Sequence, residues 1–160
     1  MDDFIPVTRL NHVALKVRDL ETSVDFYTRV MGFTEDVGRF GNDTIAFLRA
    51  PGSINHHDLA LLHIGAKAAD ANARSVGLFH CAWEVASLRD LLVARDRFLA
   101  EGCFNSQADH GATKAVYGTD PDGNTIEITW MLPREQWGSW ETDAPIKTAI
   151  DLDAELARLS

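Results

Sequence analysis

The chain has 160 residues, with 15 basic against 24 acidic side chains, a net charge of −9 and 46% hydrophobic content, which bounds it to one domain, or two very small ones sharing a core. The acidic balance and the scatter of Lys and Arg argue against nucleic acid and anionic membrane as main partners, and no apolar run approaches the roughly 18 residues that span a bilayer. A small molecule or a protein is the expected partner, and Cys81 and Cys103, without metal-type spacing, fit reduced, buried thiols in a cytoplasmic protein; the opening "MDDFIPV" does not read as a signal peptide.

In chain order, the first element is "LNHVALKVRDL" (10–20), which alternates like a half-buried strand. Asp19 stands where a helix cap is wanted, and Leu20, Val24, Tyr27 and Met31 form one apolar stripe that Gly32 stops. Three short strands are expected next, at about 33–40, 43–49 and 57–64, with "PGSIN" turning the chain before the last. A connector rich in Ala, Gly and polar residues, "AKAADANARSVG" (66–77), follows.

The chain then repeats itself. "LFHCAWEVASL" (78–88) lies over 10–20 at a constant offset of 68, with His80 over His12, Ala82 over Ala14 and Val85 over Val17. Ser87 and Asp90 make a capping-box-like start with Asp in place of Glu or Gln. Leu88, Leu91, Leu92, Phe98 and Leu99 supply the stripe, and Gly102 ends it. Strands are expected at about 103–108, 112–118 and 124–131, the last pair joined by "DPDG", whose Asp, Pro and Gly suit a type I turn. After 131 comes a tail, "PREQWGSW" and then a weakly amphipathic helix over 145–159.

The expected fold is α+β: two tandem βαβββ modules (8–65 and 78–131) in a single domain over 1–131, forming a curved mixed sheet around a cleft, with a C-terminal tail over 132–160 that carries a short helix. A cleft on the face away from the helices is the default small-molecule site. Pseudo-twofold packing of the repeats would bring His12 and His80 towards one point. Glu127 aligns with Ala60 within one residue and sits between isoleucines. It is either a solvent-facing residue of an edge strand or an inward carboxylate joining the two histidines, since burying it unpaired is costly. In the second case the three residues form the two-imidazole, one-carboxylate facial triad typical of non-haem Fe(II) oxygenases, with open positions for substrate and O₂.

The paired modules, the "HVALKVRDLETSVDFYTRVMGF" opening and "YGTDPDGNTIEI" resemble the vicinal oxygen chelate superfamily, which includes glyoxalase I, bleomycin-resistance proteins and type I extradiol catechol dioxygenases. The resemblance covers roughly residues 8–131 and is nearest to small two-module extradiol enzymes. It implies His12, His80 and Glu127 as ligands of Fe(II), with Mn(II), Zn(II) or Ni(II) as alternatives. It implies His57, in "HHDLAL", as the acid/base, and Tyr117, ten residues before Glu127, as a hydrogen-bond partner of substrate; His110, in "HGAT", resembles a further histidine beside the metal. The implied activity is extradiol cleavage of a catechol-type diol with both atoms of O₂ incorporated, in a homo-oligomer, a dimer. A metal-dependent lyase or isomerase and a non-catalytic resistance-type binder are the alternatives. Isomerases of this superfamily place a Glu or Gln ligand where this chain has Ala60.

The remaining candidates have plainer readings. His56 reads as a loop residue, Asp58 as a residue that orients a neighbour, and His63 as a satisfied core histidine. Trp83, Trp130 and Trp137 read as core or subunit contacts.

Overall fold

The computed structural model describes residues 4–70 and 76–159. The connector expected at 66–77 lies partly outside the described residues, at 71–75. The chain divides into two compact units, one ending at Ala68 and the other beginning at Ala69.

The first unit contains β1 (Val13–Val17), α1 (Leu20–Met31), β2 (Arg39–Phe40), β3 (Ile45–Leu48) and β4 (Leu59–His63), in a four-stranded sheet of order β1-β4-β3-β2. The second contains β5 (Cys81–Glu84), α2 (Leu88–Ala100), β6 (Phe104–Asp109), β7 (Thr113–Thr119) and β8 (Thr125–Met131), in the equivalent order β5-β8-β7-β6, followed by α3 (Leu152–Leu159). In each sheet the outer strands β1 and β5 pair parallel with the last strand, and the other pairings are antiparallel. The architecture is α+β with two βαβββ modules and a C-terminal helix.

The helices begin and end where local chemistry directs. Thr22 N–H donates to the Asp19 carboxylate at 2.8 Å, satisfying a donor that the first turn leaves free. Gly32, at φ 72°, closes the helix with its N–H on the Thr28 carbonyl. At α2 the Ser87 hydroxyl accepts from Asp90 N–H at 3.1 Å and donates to the Asp90 carboxylate at 2.6 Å, so Ser87 caps the helix and the Asp90 side chain holds the capping hydroxyl rather than the Ser87 N–H. Helix α1 buries Leu20, Val24, Phe26 and Tyr27; α2 buries Leu88, Leu91, Leu92 and Phe98. Fully burying each of the larger apolar chains contributes about 1.5–3 kcal/mol. In β1, buried Leu15 and Val17 alternate with exposed Ala14 and Lys16, so one sheet face packs and the other stays open.

Several expectations change. Leu99 is exposed and Met31 only half-buried, because the stripes turn away at the helix ends. Cys81 and Cys103 are free and half-buried rather than fully inside. His63 is exposed at the end of β4, not in the core. The strand expected at 33–40 shrinks to a Thr34–Arg49 bridge and the two residues of β2, in a stretch where Gly38 adopts a φ of 85°. The tail helix begins only at Leu152, where the Asp151 carboxylate caps Asp153 N–H and Ala154 N–H. The residues before it are extended: Thr148 bridges antiparallel to Asp109, exchanging N–H···O bonds of 2.9 and 3.0 Å at the edge of β6. Pro145 and the β-branched Ile146, Thr148 and Ile150 disfavour a helix there. Leu152 is then buried and Arg95 of α2 pairs with Asp153 at 2.5 Å. Among the described residues no helix is long and apolar enough to cross a membrane.

Candidate metal centre

In the second unit Glu127 is the third residue of β8. It stands opposite Ala82 of β5 on one side and Tyr117 of β7 on the other. Cross-strand partners share a sheet face, so the carboxylate has a methyl group on one flank and a phenol on the other. It is 7% exposed, and both oxygens are engaged. The Tyr117 hydroxyl donates to Oε1 at 2.7 Å, and His80 Nε2 lies 2.8 Å from Oε2. Among the described residues no Lys or Arg pairs with it. A buried carboxylate held only by a phenol and an imidazole keeps uncompensated negative charge, which a cation would relieve.

The geometry fits a metal. Bonds of about 2.1 Å to two neighbouring octahedral positions put ligand atoms roughly 3 Å apart, and His80 Nε2 and Glu127 Oε2 have that spacing. His80 Nδ1 is buried without a hydrogen bond, so the ring's polar engagement runs through Nε2. Burial and the Glu127 carboxylate raise the Tyr117 phenol well above its ordinary pKa and keep it protonated, a donor. His110 continues the chain: its Nε2 is 2.8 Å from the Tyr117 oxygen and its Nδ1 2.5 Å from the Ile146 carbonyl. It lies at the β6–β7 turn, which Lys114 clamps by donating to the Asp109 carboxylate at 2.7 Å and the Gly111 carbonyl at 2.9 Å.

In the first unit His12 immediately precedes β1. Its Nδ1 is 2.8 Å from the Asn11 side-chain oxygen, an acceptor, so Nδ1 carries the proton and Nε2 keeps the lone pair a metal needs. The His57 ring packs 4.5 Å from the His12 ring and 4.8 Å from that of Phe47. Phe47 pairs with Ala60, and Ala60 with Ala14, which puts all three on one sheet face. A regular strand would send His57 to the opposite face from Ala60. It reaches the Phe47 side because β4 begins only at Leu59, leaving residues 57 and 58 irregular. Burial first, then the neighbouring His12 and His56, lower the His57 pKa, with Asp58 opposing them.

Asp58 builds this loop. Its carboxylate accepts from Ala50 N–H at 2.9 Å, the Ser53 hydroxyl at 2.8 Å and the Asn55 amide at 2.6 Å. His56 is exposed, with Nδ1 3.0 Å from Nδ1 of His57, a loop residue as expected.

The structure therefore brings His80, Glu127, Tyr117 and His110 together in one unit, and His12 and His57 in the other. Neither unit alone gathers three His, Cys, Asp or Glu side chains fit for a metal among its described residues. Sequence reasoning missed Asn11, and it missed the stretch of tail that meets His110. The signal for the latter was present in "IKTAI" (146–150), whose β-branched residues recur every second position as in an extended segment.

The register carries a further point. Ala14 faces Ala60, and Ala82 faces Glu127, so the internal repeat superposes at the level of strand pairs. A model of the Glyoxalase/Bleomycin resistance protein/Dioxygenase superfamily matches residues 9–128. The chain belongs to this superfamily. It is 32% identical over 149 residues to a catechol-2,3-dioxygenase of Bacillus subtilis (strain 168), covering 92% of this chain and 50% of that protein. The superfamily chain thus spans about half the length of that relative. It is 29% identical over 143 residues to a lactoylglutathione lyase of Pseudomonas aeruginosa, covering 74% of this chain and 80% of the lyase. Among solved structures, a glyoxylase/bleomycin resistance protein/dioxygenase domain from Frankia sp. EAN1pec aligns with a TM-score of 0.67 at 26% identity, covering 79% of this chain and 99% of that one.

Proposed function

We propose that the protein is an Fe(II)-dependent extradiol dioxygenase that opens the ring of a catechol-type diol, with His12, His80 and Glu127 as metal ligands. The observation that carries this reading is the buried Glu127 carboxylate, engaged by His80 and Tyr117 without a basic partner. The similarity to a catechol-2,3-dioxygenase supports it.

An iron ion held by His12, His80 and Glu127 would supply the one-electron chemistry that lets a diol react with O₂. The protein's own residues do the rest. His57, whose pKa burial and the neighbouring His12 and His56 lower, would accept a proton from a diol hydroxyl and return it to an oxygen of the product. The Tyr117 hydroxyl, which donates to Glu127 in the structure, is placed to turn its one proton to a substrate oxygen instead, and His110 contacts the phenol oxygen from behind. Both oxygen atoms enter the product, one ring C–C bond beside the diol breaks, and no external reductant is consumed.

The lyase relative favours one second reading, a metal-dependent lyase or isomerase that needs no O₂. Ala60 speaks against it, since a methyl group cannot be the fourth protein ligand. Metal analysis of anaerobically purified protein, followed by a catechol panel with an oxygen electrode, tests both. One iron per chain, O₂ uptake and a coloured product are expected. Turnover without O₂, supported by Ni(II) or Zn(II), would replace the dioxygenase with the lyase.

A further inference from the structure

The tail after β8 has no counterpart in the first repeat, yet it runs across the Tyr117 side of the second unit. It is fixed at four points: the Ile146 carbonyl on His110, the Thr148 bridge to Asp109, the Ile150 carbonyl accepting from the Gln107 amide at 2.7 Å, and buried Leu152. Between the first two anchors sits Lys147, whose ammonium lies 5.6 Å from the centroid of the Tyr117 ring. We propose that Lys147 is a substrate-recognition residue: held on this strap beside Tyr117, it selects a diol that carries a carboxylate on its ring or on a short arm.

The assignment rests on the diol reading above and on three observations. First, the main chain on both sides of Lys147 is hydrogen-bonded to the hairpin that carries His110. Its position therefore belongs to the fold rather than to a loose terminus. Second, among the described residues no carboxylate pairs with Lys147, although the chain holds 24 acidic residues against 15 basic ones. Contact with an aromatic face at an exposed site satisfies an ammonium only weakly and leaves it free for an anion. Third, the Tyr117 phenol serves as a ruler. Its oxygen is on Glu127 and its ring lies under the ammonium. A second six-membered ring with its hydroxyls at the Glu127 end projects a substituent about one ring length away, within reach of a flexible four-carbon stem. One cation in a chain of net charge −9 matches a singly charged carboxylate better than a doubly charged phosphate.

The test is anaerobic titration calorimetry of iron-loaded protein with 3,4-dihydroxybenzoate and with its methyl ester, for the native chain, Lys147→Ala and Lys147→Arg. The native chain is expected to bind the acid about fivefold to tenfold more tightly than the ester. Lys147→Ala should bring the ratio to about one, and Lys147→Arg should restore it. A native ratio near one, or a preference that survives Lys147→Ala, overturns the role of Lys147 and leaves the diol reading standing. Failure of the native protein to bind either compound overturns the diol reading, and this assignment with it.

Discussion

His110 donates its Nδ1–H to the main-chain carbonyl of Ile146, 2.5 Å away. A carbonyl can only accept, so Nδ1 carries a proton, and the same ring sets its Nε2 2.8 Å from the Tyr117 oxygen. A residue of the tail thereby sets the orientation of a ring at the candidate site.

Gly111 makes that arrangement possible. At φ 87° it adopts a left-handed conformation, and a Cβ there would lie 2.6–2.8 Å from the Trp140 indole. Gly111→Ala is expected to destabilise the protein by about 1–3 kcal/mol and to shift the tryptophan emission. Thermal unfolding together with fluorescence checks this. An unchanged melting temperature and spectrum would mean that Trp140 does not seat the tail on the hairpin.

Asn11→Ala removes the acceptor that holds the His12 Nδ1 proton. Iron affinity should fall about tenfold or more with little change in unfolding temperature, since the pair is exposed. Competition with a chelator measures the affinity.

His57→Phe is expected to keep iron and lower turnover by about two to four orders of magnitude, because His57 has no ligand role in the proposed triad. Metal content and O₂ uptake decide it; loss of the iron itself would show the assignment to be wrong. Tyr117→Phe should likewise retain iron, with turnover down about tenfold or more, since the change removes the hydroxyl's contacts with both Glu127 and His110.

Asp58 gives a pH signature. Burial opposes ionisation of its carboxyl, but the Ala50, Asn55 and Ser53 donors outweigh burial and hold its pKa below the ordinary value. A group whose pKa falls on folding stabilises the native state above its unfolded pKa of about 3.9 and loses that contribution as pH drops through the lower folded value. Asp58→Ala should therefore cost about 2–3 kcal/mol at pH 7. Its deficit should shrink only below about pH 4. Urea unfolding across pH 3–7 reads both; a deficit constant with pH would sink the explanation.

Much of the fold was legible because it is written twice. The offset between His12 and His80 predicted equivalent strands, and the pairing of Ala82 with Glu127 where Ala14 meets Ala60 bears this out. The Gly32 stop and the Ser87–Asp90 cap depend on neighbours in sequence and were readable for that reason. His63 was misjudged because apolar neighbours suggest a core, whereas the strand ends there and leaves the ring in solvent. The extended stretch at 145–151 escaped because a weak helical stripe beyond it drew the helix too far back, and because its partner, the edge of β6, is distant in sequence. His57 could be placed by resemblance alone, since its face depends on where β4 loses regularity.

The matched registers have a consequence for engineering. One coordinate of the duplicated pattern holds a methyl group at Ala60 and a carboxylate at Glu127, so the two halves differ in ligand capacity by a single side chain. Ala60→Glu would make them symmetric, and under the proposed assignment it would fill a position otherwise free for O₂. The choice between oxidative ring opening and redox-neutral rearrangement would then hang on one codon in the first half of the gene.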